Sequence, residues 1–200
     1  MGVIGLPKNE LEKLYSSGKS MSEISQILKV SVHKVLYWMH KNNINRRSLS
    51  DAAYIKANPN GNPYYIDQKA ISRNQLLFGL GLGIYWGEGN KSSPHSLRVT
   101  NSDPRIIKCF RTFLLACCGV LPERIQYSLI CFNDSNSTLV LDHWSKELQI
   151  PIKKFGTIVQ IPTQGKGTYR KKSQTGVCTI TFNNVKLKKW VMDQINLLPG

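Results

Sequence analysis

Between Leu148 and Met192 the chain carries nine Lys or Arg and no acid, among them Lys153, Lys154, Lys166, Arg170, Lys171 and Lys172. Cations spaced along extended segments and a loop suit phosphate oxygens, which fix the position of a polyanion without reading its sequence. A second set of residues lies in LLFGLGLGIYWGEGNKS, Leu76 to Ser92, where one acid, Glu88, closes an apolar run that holds glycine at 79, 81, 83, 87 and 89. Those glycines do not make a nucleotide site. GEGNKS lacks the adjacent Gly-Lys of a phosphate-binding loop because Asn90 intervenes, and no G-x-G-x-x-G fits, so no nucleotide cofactor is expected. The five cysteines, at 109, 117, 118, 131 and 178, form no Cys-x-x-Cys pair and with four scattered histidines match no zinc spacing. They read as reduced packing residues.

The whole composition points the same way. Lys plus Arg number 27 against 12 Asp plus Glu, a formal +15, and such an excess is neutralised by a polyanionic partner. Both halves share it: ten basic and five acidic residues up to Ala70, 17 and seven after it, or +5 and +10. Nucleic acid is the expected partner. MGVIGLPKNE has neither the pattern of a secretion signal nor the Ser or Thr of a myristoylation site, and no apolar run approaches about 18 residues. A cytoplasmic, DNA-associated protein without a membrane partner is expected.

The elements that must position these residues begin with three short helices between residues 8 and 48. Leu11, Leu14 and Tyr15, then Ile24, Ile27 and Leu28, then Val35, Trp38 and Met39 recur at helical spacing, so three amphipathic stripes can share one small core. Gly18 ends the first helix, Ser20 with Glu23 three residues on caps the second, and Ser31 caps the third. Over about 40 residues this resembles the helix-turn-helix of site-specific recombinases and many bacterial regulators. The resemblance implies that the helix from Ser31 enters the major groove with Val32, His33, Lys34 and Tyr37 outward, and that Arg46 and Arg47 form an arm toward a minor groove. Lys29 stands in the turn where many relatives have glycine. Residues 1–50 are thus expected to be a helix-turn-helix module, and 51–70, rich in Asn, Pro and Gly, a linker.

Residues 71–200 are expected to be an α+β domain. Each interior glycine costs a helix about 1 kcal/mol relative to alanine, so the run to Glu88 needs compensation. Gly79, Gly83 and Gly87 recur every four residues and form one smooth stripe along which another helix can approach to backbone contact. No other segment repeats the pattern, so the expected partner is the same helix of a second copy, in a homodimer. A glycine-packed helix inside one chain is the other reading. SLRVTNS, RIQYSLICF, FGTIVQIP and GVCTITF read as strands. DPRIIKCFRTFLLACC, STLVLDHWSKEL and NVKLKKWVMDQINLL read as helices, the last with Lys186, Lys188 and Lys189 on its wet face. TQGKGTYRKKSQTG is expected to be a loop joining the last two strands.

The segment GLGIYWGEG resembles the nine-residue motif of the LAGLIDADG family, the homing endonucleases and their non-cleaving relatives. Gly83 lies on the motif's inner glycine, Gly87 on its small residue, Glu88 on its metal-binding acid and Gly89 on its final glycine; Trp86 replaces the first aspartate. The resemblance implies a mixed α/β domain whose antiparallel sheet faces DNA, motif helices packed together across a dimer, and Glu88 of each copy holding Mg²⁺ or Mn²⁺ for phosphodiester hydrolysis. Lys91 would then help to neutralise charge in the transition state. The family's core runs helix, two strands, helix, two strands, helix; here only residues 88 to 92 can supply the first strand, and the helix near Leu139 to Leu148 is an addition. A regulator that kept the fold for binding alone is the alternative.

Overall fold

The computed structural model describes residues 5–163 and 175–198. The fold is α+β and divides into two compact units, Met1–Asn62 and Pro63–Gly200.

The first unit contains helices α1 (Lys8–Ser16), α2 (Met21–Ile27), α3 (Val32–Lys41) and α4 (Leu49–Ala57). Ser20 and Glu23 form a reciprocal capping box, the Ser20 N–H donating to Glu23 Oε2 at 2.8 Å and the Glu23 N–H to Ser20 Oγ at 3.2 Å. Ser31 Oγ caps α3 by accepting from the Lys34 N–H. Leu11, Ile24, Val35 and Met39 are buried together, with Leu14, Tyr15, Leu28 and Trp38 packed around them. Between α2 and α3 the chain turns through Lys29 in the left-handed region, φ 51°. Helix α4 lies where the sequence predicts the start of a linker. It buries no residue, so it carries no apolar stripe to betray it, and its visible signal is the Ser48 cap on the Asp51 N–H.

From Pro63 on, the predicted linker belongs to the second unit. The Leu121 N–H donates to Pro63 O and the Tyr65 N–H to Cys118 O, each at 3.1 Å, while Tyr64 and Ile66 pack on the core. Then come α5 (Gln68–Arg73), α6 (Gln75–Glu88), β1 (Ser96–Asn101), α7 (Pro104–Ala116), β2 (Gln126–Phe132), α8 (Ser137–Leu148), β3 (Phe155–Ile161), β4 (Val177–Asn183) and α9 (Val185–Asn196). One four-stranded sheet has the order β1-β4-β2-β3. The β1/β4 and β4/β2 pairs are antiparallel, but β2 and β3 run parallel, so the sheet is mixed and not wholly antiparallel. The cause is α8, which serves as the crossover a parallel pair requires. The two last strands are accordingly not neighbours, since β2 lies between them. Before β1, the expected first strand is reduced to a single bridge, Gly89↔Val99.

The inner face of the sheet, with Leu97 and Val99 of β1, Ile180 and Phe182 of β4 and Leu129 of β2, joins Phe110, Phe113, Trp144, Leu187 and Val191 in one buried core. One glycine of α6 is used there. A Cβ on Gly81 would lie 2.1 Å from the Phe113 ring, so α7 packs over a gap that only glycine leaves. Gly79, Gly83 and Gly87 face the other way, and a Cβ at any of them would meet nothing within 4 Å.

Candidate nucleic-acid interface

Strand alternation sends polar side chains to the outer face of the sheet. Across β1, β4 and β2 one row reads Arg98, Thr181, Gln126 and the next Thr100, Thr179, Ser128, with Asn183 beside Ser96 at the end. These residues line a groove of about 640 Å³ that also takes in Tyr127, Ile130, Thr157, Glu123 and both Lys153 and Lys154 from the single turn that precedes β3. Within it the Thr100 and Thr179 hydroxyls lie 2.7 Å apart and the Asn183 amide donates to Gln126 Oε1 at 3.2 Å. A floor of hydroxyls and amides with an arginine and two exposed lysines is a surface of hydrogen-bond donors and acceptors under a positive field. That combination suits both phosphates and base edges. Lys153 and Lys154 are legible from charge; Arg98, Gln126, Thr181 and Asn183 carry no such signal, although the period-two pattern of SLRVTNS marks β1.

The end of α6 meets the β1 edge of the sheet. Gly89 bridges Val99, and the Asn90 N–H donates to Arg98 O at 2.9 Å, so Glu88 is carried to the β1 edge of the sheet. Glu88 is exposed, and its carboxylate makes no hydrogen bond or ion pair among the described residues. Lys91, also exposed, donates from Nζ to Trp86 O at 2.5 Å. Beneath it, the Tyr85 hydroxyl donates to Asn90 O at 2.6 Å, and Lys188 Nζ donates to Tyr85 Oη and, at 2.8 Å, to Asn90 O. Lys188 is therefore no part of the wet face of α9: it is buried, next to the inward Leu187 and Val191. Burial raises the Tyr85 hydroxyl to about 12, and burial together with the Lys91 charge lowers the Lys188 ammonium from its ordinary value.

No group of three or more His, Cys, Asp or Glu that could hold a metal occurs among the described residues. Among the described residues, Glu88 at the end of α6 therefore belongs to no such group. Magnesium is commonly held by one or two carboxylates with water and substrate phosphates. The donor set of one chain by itself does not make a metal site.

The other expected residues fall into three groups. On α3, Val32, His33 and Tyr37 are exposed and Lys34 is half-buried, while Val35 is buried beneath them. Arg46 is exposed, but Arg47 is engaged within its own unit: its guanidinium lies 3.9 Å over the Tyr15 ring and donates to Gly18 O and Lys19 O. Along α6, Gly79, Gly83 and Gly87 form the floor of an apolar groove of about 610 Å³ flanked by Leu76, Leu80 and Ile106, and Trp86 is exposed on the same helix. Lys166, Arg170, Lys171 and Lys172 lie outside the described residues.

No family model, no curated protein and no solved structure matches the chain. Among the described residues, no helix is long and apolar enough to cross a membrane.

Proposed function

We propose that the protein binds duplex DNA through two modules and is a site-specific, metal-dependent DNA endonuclease of the LAGLIDADG type. The feature that carries this reading is the polar groove on the sheet of a chain of charge +15, with Glu88, whose neighbour Gly89 bridges Val99, at the β1 edge. The first unit acts as a helix-turn-helix, with Val32, His33, Lys34 and Tyr37 of α3 facing bases and Arg46 reaching the backbone. The order α6, bridge, β1, α7, β2, β4, α9 follows the core order of that family once α8 and β3 are taken as an addition.

The chain acts as a homodimer joined through Gly79, Gly83 and Gly87 of α6. Two copies bring two Glu88 carboxylates together, and those with the DNA phosphates complete the ligands for Mg²⁺ or Mn²⁺, which would supply an activated water when bound. This chain's own part is to hold each Glu88 at the sheet edge through the Gly89 bridge and to seat the duplex on the groove. One carboxylate per chain also suits a second reading, a DNA-binding regulator without cleavage.

A single experiment separates them. Duplexes selected from a random pool for binding are incubated with the protein and Mg²⁺ or Mn²⁺. Nicks or breaks at the selected site are expected; tight binding with intact DNA in both metals moves the function to the regulator, and no selection above background sinks both.

A further inference from the structure

The outer face of the sheet changes character along its strands. Two of its rows, Arg98, Thr181, Gln126 and Thr100, Thr179, Ser128, are polar, but the next row across β4, β2 and β3 is Val177, Ile130, Val159. Ile130 and Val159 are paired in register and line the same groove as Arg98, Lys153 and Lys154. Val159 is 44% exposed on the edge strand β3, and Ile130 and Val177 are half-buried. Strand formation does not demand these residues, since threonine is an equally good strand former and serves in the row before them. Phosphate does not demand them either, because an apolar side chain offers it no hydrogen bond. The row suits a ligand that is apolar at one point and anionic around it.

We propose that Ile130 and Val159 receive the C5-methyl groups of thymine, so that β3, the strand added at the edge of the sheet, gives the protein a preference for thymine at that end of its site. The inference rests on the DNA-binding reading and adds a base identity to it. Of the four bases of DNA, thymine alone carries a methyl group in the major groove, and apolar side chains read it by contact. Lys153 and Lys154, in the turn that leads into β3, hold the neighbouring phosphates without regard to sequence. Position and base identity are thus supplied by successive residues of one short segment.

Duplexes selected from a random pool for binding to the full chain are resynthesised with each thymine replaced in turn by deoxyuridine, which lacks only the methyl group. Affinities are measured by competition for wild type, Val159→Ser, Val159→Ala, Val159→Ile and Ile152→Ser. Ile152 is an exposed apolar residue beside Lys153 that does not line the groove, and it serves as control. At one or more positions deoxyuridine should weaken wild-type binding by about fourfold, the worth of one buried methyl group. Val159→Ile and Ile152→Ser should show the same loss. Val159→Ser should bind the thymine and uracil duplexes alike, at the wild-type level for uracil, and Val159→Ala, the milder truncation, should show a reduced loss. If duplexes are selected but no deoxyuridine affects wild type, or if Val159→Ser and Val159→Ala keep the full loss, the DNA reading stands and the thymine contact fails. A Val159→Ser protein whose sedimentation differs from wild type while deoxyuridine is silent would make the row an interface between copies and overturn the proposal. If no duplex is selected above background, the DNA reading fails and the thymine contact with it.

Discussion

Glu88 and Arg98 are brought to one edge of the sheet by two backbone contacts, the Gly89↔Val99 bridge and the Asn90 N–H on Arg98 O. Their charges make different demands on a bound duplex. A carboxylate near phosphates opposes binding unless a cation screens it, so Glu88→Gln should leave DNA affinity equal or slightly higher while abolishing Mg²⁺-dependent cleavage. Cleavage assayed on the selected duplex checks this, and a wild-type rate in the variant removes Glu88 from the chemistry. Arg98 projects from the groove with a fork suited to a guanine edge, and Arg98→Ala should cost about 1–3 kcal/mol of discrimination at one base position. Lys153→Ala should instead weaken binding to all sequences alike and reduce the salt slope by about 0.9. Competition titrations with single-base variants distinguish the two, and identical behaviour would contradict base reading by Arg98.

Helix α6 carries two opposite uses of glycine. At Gly81 a methyl would strike the Phe113 ring, so Gly81→Ala should destabilise the fold by about 1–3 kcal/mol through overpacking. Gly83 has open space around its Cα, and in an isolated chain Gly83→Ala should stabilise by up to about 1 kcal/mol because glycine is the poorer helix former. Gly83→Leu should then leave the chain folded but weaken the dimer. Denaturant unfolding with sedimentation velocity decides this, since an unchanged assembly, or a monomeric wild type at micromolar concentration, rules out a stripe-to-stripe interface. The spacing of Gly79, Gly83 and Gly87 was legible in the sequence because period four on a helix is a local pattern. That Gly81 answers to Phe113, 32 residues on, was not, because it depends on how α7 crosses α6. Most elements were legible for the same local reason: apolar stripes and caps announce them, Ser20 and Ser31 in the first unit and, for α7, Asp103, which accepts from the Arg105 N–H. The parallel β2/β3 pair and the burial of Lys188 were hidden because strand order and a lysine's surroundings are set by distant segments. Helix α4 escaped notice for the opposite reason, having no apolar face to leave a period.

The structural boundary at Asn62 divides the charge much as a cut after Ala70 does. The first unit has nine basic and four acidic residues, +5, and the second 18 and eight, +10. A protein with one basic tail would lose its nucleic-acid affinity when that tail alone was neutralised. Here both units carry an excess, and each offers a surface that suits duplex contact, α3 in one and the sheet groove in the other. If the two act on one duplex, they should together neutralise six or more phosphates, and affinity should then fall by about 10³-fold or more between 50 and 200 mM salt. Neutralising charge in one unit should lower the slope without abolishing it: a Lys153→Ala, Lys154→Ala double variant should retain the contribution of the first unit, and Lys34→Ala with Arg46→Ala that of the second. Fluorescence anisotropy on a labelled duplex across a salt series measures all three slopes. A flat response in wild type would remove nucleic acid as the partner, and a slope abolished by either double variant alone would mean that only one unit touches DNA.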